Sequence, residues 1–343
     1  MAPSAYTKIL LAERPKAAIT SSTFRKEVVP LDLRAGKGQV VVQVQYVSLD
    51  PAMRGWLNDR RSYVEPVQIG ETMRAFGLGT VVEAGEGSSF VPGDLVSGKF
   101  GWTEYVLFDA ESVTKLKVPK GAEVLDFLGA LGMTGLTAFV GLLDIGRLKP
   151  GEKLVVSGAA GATGSIVCQI AKHQGAKVYA IAGSADKCTW LENDLGVDKA
   201  LNYKSPTFHD DFKKSVGYFD IFFDNVGGEI LDFALTRLNQ NARVVLCGAI
   251  SDYNSPRPKG LTSYLNLIGQ RAKIEGFIVF DHVDRYPAAL EYLGARLQDG
   301  SLKRKFHVVD GLEQAPLALN MLFNGGNTGK LVVKVVDKTK AKL

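Results

Sequence analysis

Cysteine, histidine and net charge are all scarce in this chain. Cys168, Cys188 and Cys247 form an odd set with no paired spacing. That excludes a disulfide framework and fits reduced thiols inside a cell. His173, His209, His282 and His307 are the only histidines, and none stands at ligand spacing from another histidine or from a cysteine. Zinc needs several Cys, His or acidic ligands brought together, so no metal is expected. Neither a Cys–His nucleophile pair nor a catalytic serine elbow is present. The net charge of +5 is mild and spread along the chain. It tolerates anionic ligands but lacks the clustered Lys and Arg of a nucleic-acid-binding protein. No apolar run is long enough to span a membrane, and the N-terminal stretch lacks the apolar core of a secretion signal. A cytoplasmic location is therefore expected. The closing "AKL" differs by one residue from the S-K-L peroxisomal address, which makes the peroxisome the alternative.

What is present changes character along the chain. With 343 residues, it is longer than one core usually serves, so two domains are expected. Residues 39–48, "QVVVQVQYVS", predict a strand, and short strands punctuated by Gly and Pro follow, as in an antiparallel barrel. From about Ala122 the spacing turns helical through "LDFLGALGMTGLTAFVGLLDIG". Alternating units then follow: strand 153–158, helix 162–174, strand 177–182, helix 186–195, strands 199–202 and 219–224, helix 228–238 and strand 243–248. This alternation predicts an α/β Rossmann unit, a doubly wound parallel sheet. A helix near 284–299 and a last strand in "GNTGKLVVKVV" complete the chain, and the last strand returns to the first domain. The expected division is 1–122 with 310–343 as a barrel-like substrate domain, and 123–309 as the nucleotide domain.

The stretch "KLVVSGAAGATGS" carries most of the functional information. Gly158, Gly161 and Gly164 lie where a strand ends and a helix begins. Bare α-carbons there allow a tight turn and close approach of a pyrophosphate to the helix N–H groups. The order is G-x-x-G-x-x-G, not the strict G-x-G-x-x-G, so the βαβ setting carries the reading as much as the motif. An NAD site offers an acid at the end of the second strand, where this chain has Ala182, Gly183 and Ser184. Lys187 and Tyr203 suit a 2′-phosphate instead, so NADPH is the expected cofactor.

Seven stretches in order, "YVSLDPAMRGW" (46–56), "GMTGLTAF" (132–139), "GAAGATGS" (158–165), "FDNVGGE" (223–229), "CGAISDYN" (247–254), "IEGFIV" (274–279) and "GNTGK" (326–330), extend the reading. Together they resemble the medium-chain dehydrogenase/reductase superfamily over nearly the whole chain. The likeness is to its zinc-independent branch: leukotriene B4 12-hydroxydehydrogenase, prostaglandin reductases, alkenal double-bond reductases and curcumin reductase. "SYVEPVQIGETMR" (62–74) leans toward the last of these. Zinc-dependent relatives carry Cys and His ligands near positions 48 and 77, where this chain has Ser48 and Gly77. Ala52 departs from the tyrosine many relatives carry in that motif, which alters the substrate pocket.

The resemblance implies a GroES-like first domain, a Rossmann second domain and a homodimer. It implies that Gly161, Ala162, Thr163 and Gly164 face the pyrophosphate and that Lys187 and Tyr203 hold the 2′-phosphate. Asn225, Cys247, Gly248, Ala249, Ile250, Ser251, Tyr253, Phe277, Ile278, Val279 and Asn327 would line the rest. The implied activity is NADPH-dependent reduction of the C=C bond of α,β-unsaturated ketones and aldehydes. Hydride goes to the β-carbon and an enolate forms, so a donor is needed at the carbonyl oxygen. Tyr63, Tyr253 and Tyr264 are the candidates beside the cofactor's ribose hydroxyl, and the α-carbon proton comes from water or tyrosine. Asp50 and Arg54 read as a structural pair beside the cleft. The alternatives are quinone reduction within the same superfamily and a cofactor-binding protein without turnover.

Overall fold

The computed structural model describes residues 3–335. The "AKL" tail lies outside the described residues. The strands in chain order are β1 (Ala5–Leu11), β2 (Phe24–Pro30), β3 (Gln39–Ser48), β4 (Gly77–Ala84), β5 (Leu95–Gly98), β6 (Tyr105–Asp109) and β7 (Thr114–Lys115). There follow β8 (Lys153–Val156), β9 (Lys177–Ala182), β10 (Lys199–Asn202), β11 (Phe219–Asp224), β12 (Leu238–Leu246) and β13 (Lys273–Gly276). The last two are β14 (Phe306–Asp310) and β15 (Lys330–Lys334).

β8 to β13 form one six-stranded parallel sheet in the order β10-β9-β8-β11-β12-β13. The order reverses between β8 and β11, which opens a crevice at their C-terminal ends. These strands are near-continuous apolar runs because both faces are covered: Leu154, Val155, Val156, Ile221, Phe222 and Phe223 are all fully buried. One face packs on the helices Met133–Val140, Ala162–His173 and Tyr286–Gln298, and the other on Phe208–Ser215 and Gly228–Ala234.

β3 is the spine of the other unit. It pairs antiparallel with β4, β6 and β15, and its register slips at two places along β4. Its Val40, Val42, Val44 and Val47 lie in a separate core with Met53, Trp102 and Leu331. β14 and β15 belong to this sheet, with β14 pairing parallel to β15, so the chain is back in the first unit at Phe306.

The long helical stretch expected over 125–146 is broken. A 3₁₀ turn (Val124–Leu128) precedes the helix Met133–Val140, and a π turn (Gly141–Ile145) follows it. Gly132 makes the break, since a Cβ there would lie 2.4 Å from the Phe127 carbonyl oxygen. The helix expected over 228–238 ends at Ala234, and β12 begins five residues before the expected 243.

Candidate active site

The glycine turn builds one wall of a groove between the units. Gly158 has φ of 57°, and Gly161 N–H donates to its carbonyl at 3.0 Å. A Cβ on Gly164 would stand 2.5 Å from the Gly158 carbonyl oxygen, so the helix Ala162–His173 can start this close only with glycine there. No side chain caps that helix, which leaves its leading N–H groups open to the groove. From the other unit, Gly329 N–H donates to the Ala160 carbonyl at 2.8 Å and pairs beside Gly161. Asn327 also lines the groove, its amide donating to the Gly329 carbonyl at 3.1 Å.

The groove runs on to the end of β9. The Ser184 hydroxyl accepts from Lys187 N–H and caps the helix Ala185–Asn193. Tyr203 covers Gly183, where a Cβ would meet its ring at 2.9 Å. The Lys187 ammonium donates to the Gly325 carbonyl at 2.8 Å, reaching across to the barrel unit. Lys204 lines the same end, its ammonium 5.8 Å from the centroid of the Tyr203 ring. Burial, and then the charge of Lys204, push the Lys187 pKa below its usual value. Two cations without an acid among the lining residues at this end suit a phosphate, and open N–H groups at the glycine turn suit a pyrophosphate. The donor set fits NADPH. Lys204 escaped the sequence reading. A single lysine in "LNYKS" reads as solvated surface until the fold turns it toward Lys187.

Asp224 organises the crevice between β8 and β11. It accepts from the Ser157 hydroxyl at 2.5 Å and from the N–H groups of Val226 and Gly227, both at 3.0 Å. Burial outweighs these donors and pushes its pKa up to about 6. Ser157 in turn accepts from Asn225 N–H, and the Asn225 amide donates to the Ser157 carbonyl at 2.7 Å. Asn225 is thereby fixed facing the groove.

A second hollow adjoins the groove and shares Asp50, Pro51, Thr134, Thr163 and Asn225 with it. Its walls are largely apolar and aromatic, with Ala52, Trp56, Phe76, Met133 and Phe280 among them. Both Tyr63 and Tyr253 line it. The Tyr63 hydroxyl accepts from the Trp56 indole N–H at 3.1 Å, and the Tyr253 hydroxyl accepts from Ala249 N–H at 3.2 Å. Both partners are pure donors. Each phenol therefore keeps its own proton for another acceptor. Burial raises both pKa values, and each keeps that proton at neutral pH. The Cys247 thiol lines the same hollow, and burial and the nearby Asp224 push its pKa up to about 12.

Gly161, Ala162, Thr163, Gly164, Lys187, Tyr203, Asn225, Ile250 and Asn327 all line the groove. Cys247, Gly248, Tyr253, Phe277, Ile278 and Val279 line the adjoining hollow. Three expected residues stand apart. Tyr264 is 54% exposed and lines neither space. Ser251 turns its hydroxyl onto the Val226 carbonyl at 2.7 Å, and Ala249 faces a separate depression behind the loop. The expected Asp50–Arg54 pair is also absent. Asp50 pairs with the buried Lys330 at 2.5 Å, while Arg54 donates to the carbonyls of Pro15 and Ala17 and to Asn254. These contacts join residues far apart in sequence, and a local i, i+4 spacing does not reveal them. Among the described residues, no group of three or more His, Cys, Asp and Glu could hold a metal ion, and no helix is long and apolar enough to cross a membrane.

Comparison with known proteins fits this geometry. Residues 7–116 match the family described as N-terminal domain of oxidoreductase, and residues 162–295 match that described as zinc-binding dehydrogenase. The chain is 36% identical over 334 residues to NADPH-dependent curcumin reductase of Escherichia coli, covering 95% of this chain and 96% of that protein. It is 38% identical over 314 residues to the NADP-dependent 2-alkenal reductase of Nicotiana tabacum, covering 90% of each. The crystal structure of CurA from Vibrio vulnificus in complex with NADPH superposes with a TM-score of 0.89 at 37% identity, over 96% of this chain and 99% of that one.

Proposed function

The chain belongs to the zinc-independent medium-chain dehydrogenase/reductase family, and from that premise we propose how its two spaces divide the work. The protein is an NADPH-dependent oxidoreductase that reduces the C=C bond of α,β-unsaturated ketones and aldehydes. When bound, NADPH supplies the hydride that reaches the substrate β-carbon. The open N–H groups of Ala162, Thr163 and Gly164 receive the pyrophosphate, and Lys187, Tyr203 and Lys204 receive the 2′-phosphate. The apolar hollow takes the enone and excludes water. As hydride arrives, charge builds up on the carbonyl oxygen, and the Tyr63 and Tyr253 hydroxyls stabilise it. Holding both reactants in adjoining spaces supplies much of the rate, so few residues need take part in proton transfer. The observation that carries this reading is the junction itself: a phosphate-suited groove opening into an apolar hollow with two proton-retaining phenols.

The test is NADPH oxidation followed across enones, quinones and simple alcohols. Turnover of enones that survives dialysis against a strong chelator is expected. Turnover of quinones alone, or loss of activity that only zinc restores, would sink the reading.

The domain division proposed is 1–122 with 310–343 against 123–309, and the pairing of β14 with β15 favours starting the return a few residues earlier. A homodimer is proposed on the free edge of β13 and the neighbouring Leu265 and Ile268, which are 62% and 75% exposed. Ile268→Asp should shift the protein to a monomer in analytical ultracentrifugation, and a monomeric parent would reject the idea. The proposed location is the cytoplasm, with import into peroxisomes through the tail as the alternative. Imaging of an N-terminally tagged protein with and without "AKL" separates the two.

A further inference from the structure

Arg54 is only 2% exposed and lines neither the groove nor the enone hollow. It lies in the short helix Met53–Trp56 of the barrel unit, flanked by Ala52 and Trp56 of the hollow's wall. Its Nη1 donates to the Asn58 side-chain oxygen at 2.8 Å, and its Nη2 to the carbonyls of Pro15 and Ala17 at 3.0 and 2.8 Å. Those acceptors belong to its own unit. Its Nε–H is shared between the Ala17 carbonyl at 3.0 Å and the Asn254 side-chain oxygen at 3.1 Å. Asn254 belongs to the nucleotide unit, so this bond crosses from one unit to the other. A buried guanidinium must fill its N–H groups, which draws such acceptors in. Both candidate donors are attached to this link. Asn254 follows Tyr253 directly in the chain, and two residues beyond Arg54 the Trp56 indole donates to the Tyr63 hydroxyl. The Tyr253 hydroxyl is otherwise held by Ala249 N–H, a bond within its own loop. That bond sets the phenol within the loop but not the loop against the barrel.

We infer that Arg54 is a positioning residue for the reduction: through Asn254 it fixes the Tyr253 loop against the barrel, so that Tyr253 and Tyr63 face one carbonyl oxygen. The inference rests on the enone reading, with Tyr253 as a donor. The ring of Tyr63 already meets Phe280 of the nucleotide unit, with centroids 6.3 Å apart, so its side of the hollow is closed by packing. The Tyr253 side is closed by the Arg54–Asn254 bond. A donor stabilises developing charge only when it is aimed at the place where that charge appears. Loosening the loop therefore costs rate and spares cofactor affinity, because the phosphate end of the groove lies elsewhere.

Arg54→Met would orphan the carbonyls of Pro15 and Ala17 and endanger folding, so the test changes Asn254. Ala17 still accepts from the Nε–H when Asn254 is replaced, so Asn254→Ala breaks the link without stranding the charge. With a 2-alkenal as substrate, kcat should fall about tenfold, the lower end for a charge-assisted hydrogen bond because this N–H is shared. The KM for NADPH should hold. Asn254→Asp keeps an acceptor at the same place and should return kcat to within about twofold of the parent. In a Tyr253→Phe background, Asn254→Ala should cost nothing further, because the link acts through that hydroxyl. An unchanged kcat in Asn254→Ala, the same tenfold loss in the Tyr253→Phe background, or no rescue by Asn254→Asp would each overturn the inference alone. A Tyr253→Phe variant as active as the parent would overturn the donor role and this inference with it. A parent that turns over no 2-alkenal would overturn the enone reading itself.

Discussion

Replacing the Tyr63 or Tyr253 hydroxyl through Tyr→Phe should lower kcat by about 10²–10³ while leaving the KM for NADPH unchanged, the usual cost of removing one oxyanion donor. The argument rests on where each phenolic proton is free to go. The Trp56 indole and the Ala249 amide can only donate, and each already occupies a lone pair of its phenol. A phenol so engaged is oriented and still holds its proton for a third partner. The developing enolate oxygen is that partner. The loss should appear in kcat because the bond strengthens as charge builds up, which uniform binding does not do. Stopped-flow single turnovers with an enone would measure the step directly. If kcat is unchanged in both variants, the role falls to the ribose hydroxyl of the cofactor.

Lys187→Ala should raise the KM for NADPH by about ten- to a hundredfold and hardly change that for NADH. A hydrogen bond to a charged group contributes roughly 1.5–3 kcal/mol, which gives that factor. The structure complicates the variant, because the Lys187 ammonium also holds the Gly325 carbonyl across the groove. Losing that bond affects both cofactors alike, so the ratio of the two KM values isolates the phosphate. Raised salt should weaken NADPH binding more in the parent than in the variant. Lys204→Ala should give a smaller change in the same direction, since Lys204 is the more exposed cation. Equal increases for both cofactors would show that Lys187 braces the two units and does not read the phosphate.

The parallel sheet and its glycine turn were legible because both are local. β9, β10 and β11 occupy the residues that their apolar runs predict, and the turn at Gly158 follows directly on β8. The strands that close the first unit were less so. β1, β2 and β14 carry alternating or charged residues; β1 and β2 pair with each other as a separate two-stranded sheet, and β14 pairs with β15 only after the helix Ala315–Asn324 has intervened. The site divides in the same way. Lys187 could be named from the strand end it follows. Lys204 depends on β10 lying beside β9, and the Asp50–Lys330 pair on the return of Lys330 to the cleft, which no spacing encodes. Tyr264, expected as a third donor, is 54% exposed and lines neither the groove nor the hollow.

Cys247 gives the enone chemistry a hazard of its own. Unsaturated carbonyls are soft electrophiles that alkylate thiolates, and this thiol stands in the wall of the space that receives them. A thiol is a poor nucleophile until it ionises. Burial and the neighbouring Asp224, which push its pKa up to about 12, keep it protonated at any pH a cell reaches. The surroundings that orient Asn225 for the cofactor thus also spare the enzyme from self-alkylation by its own substrates.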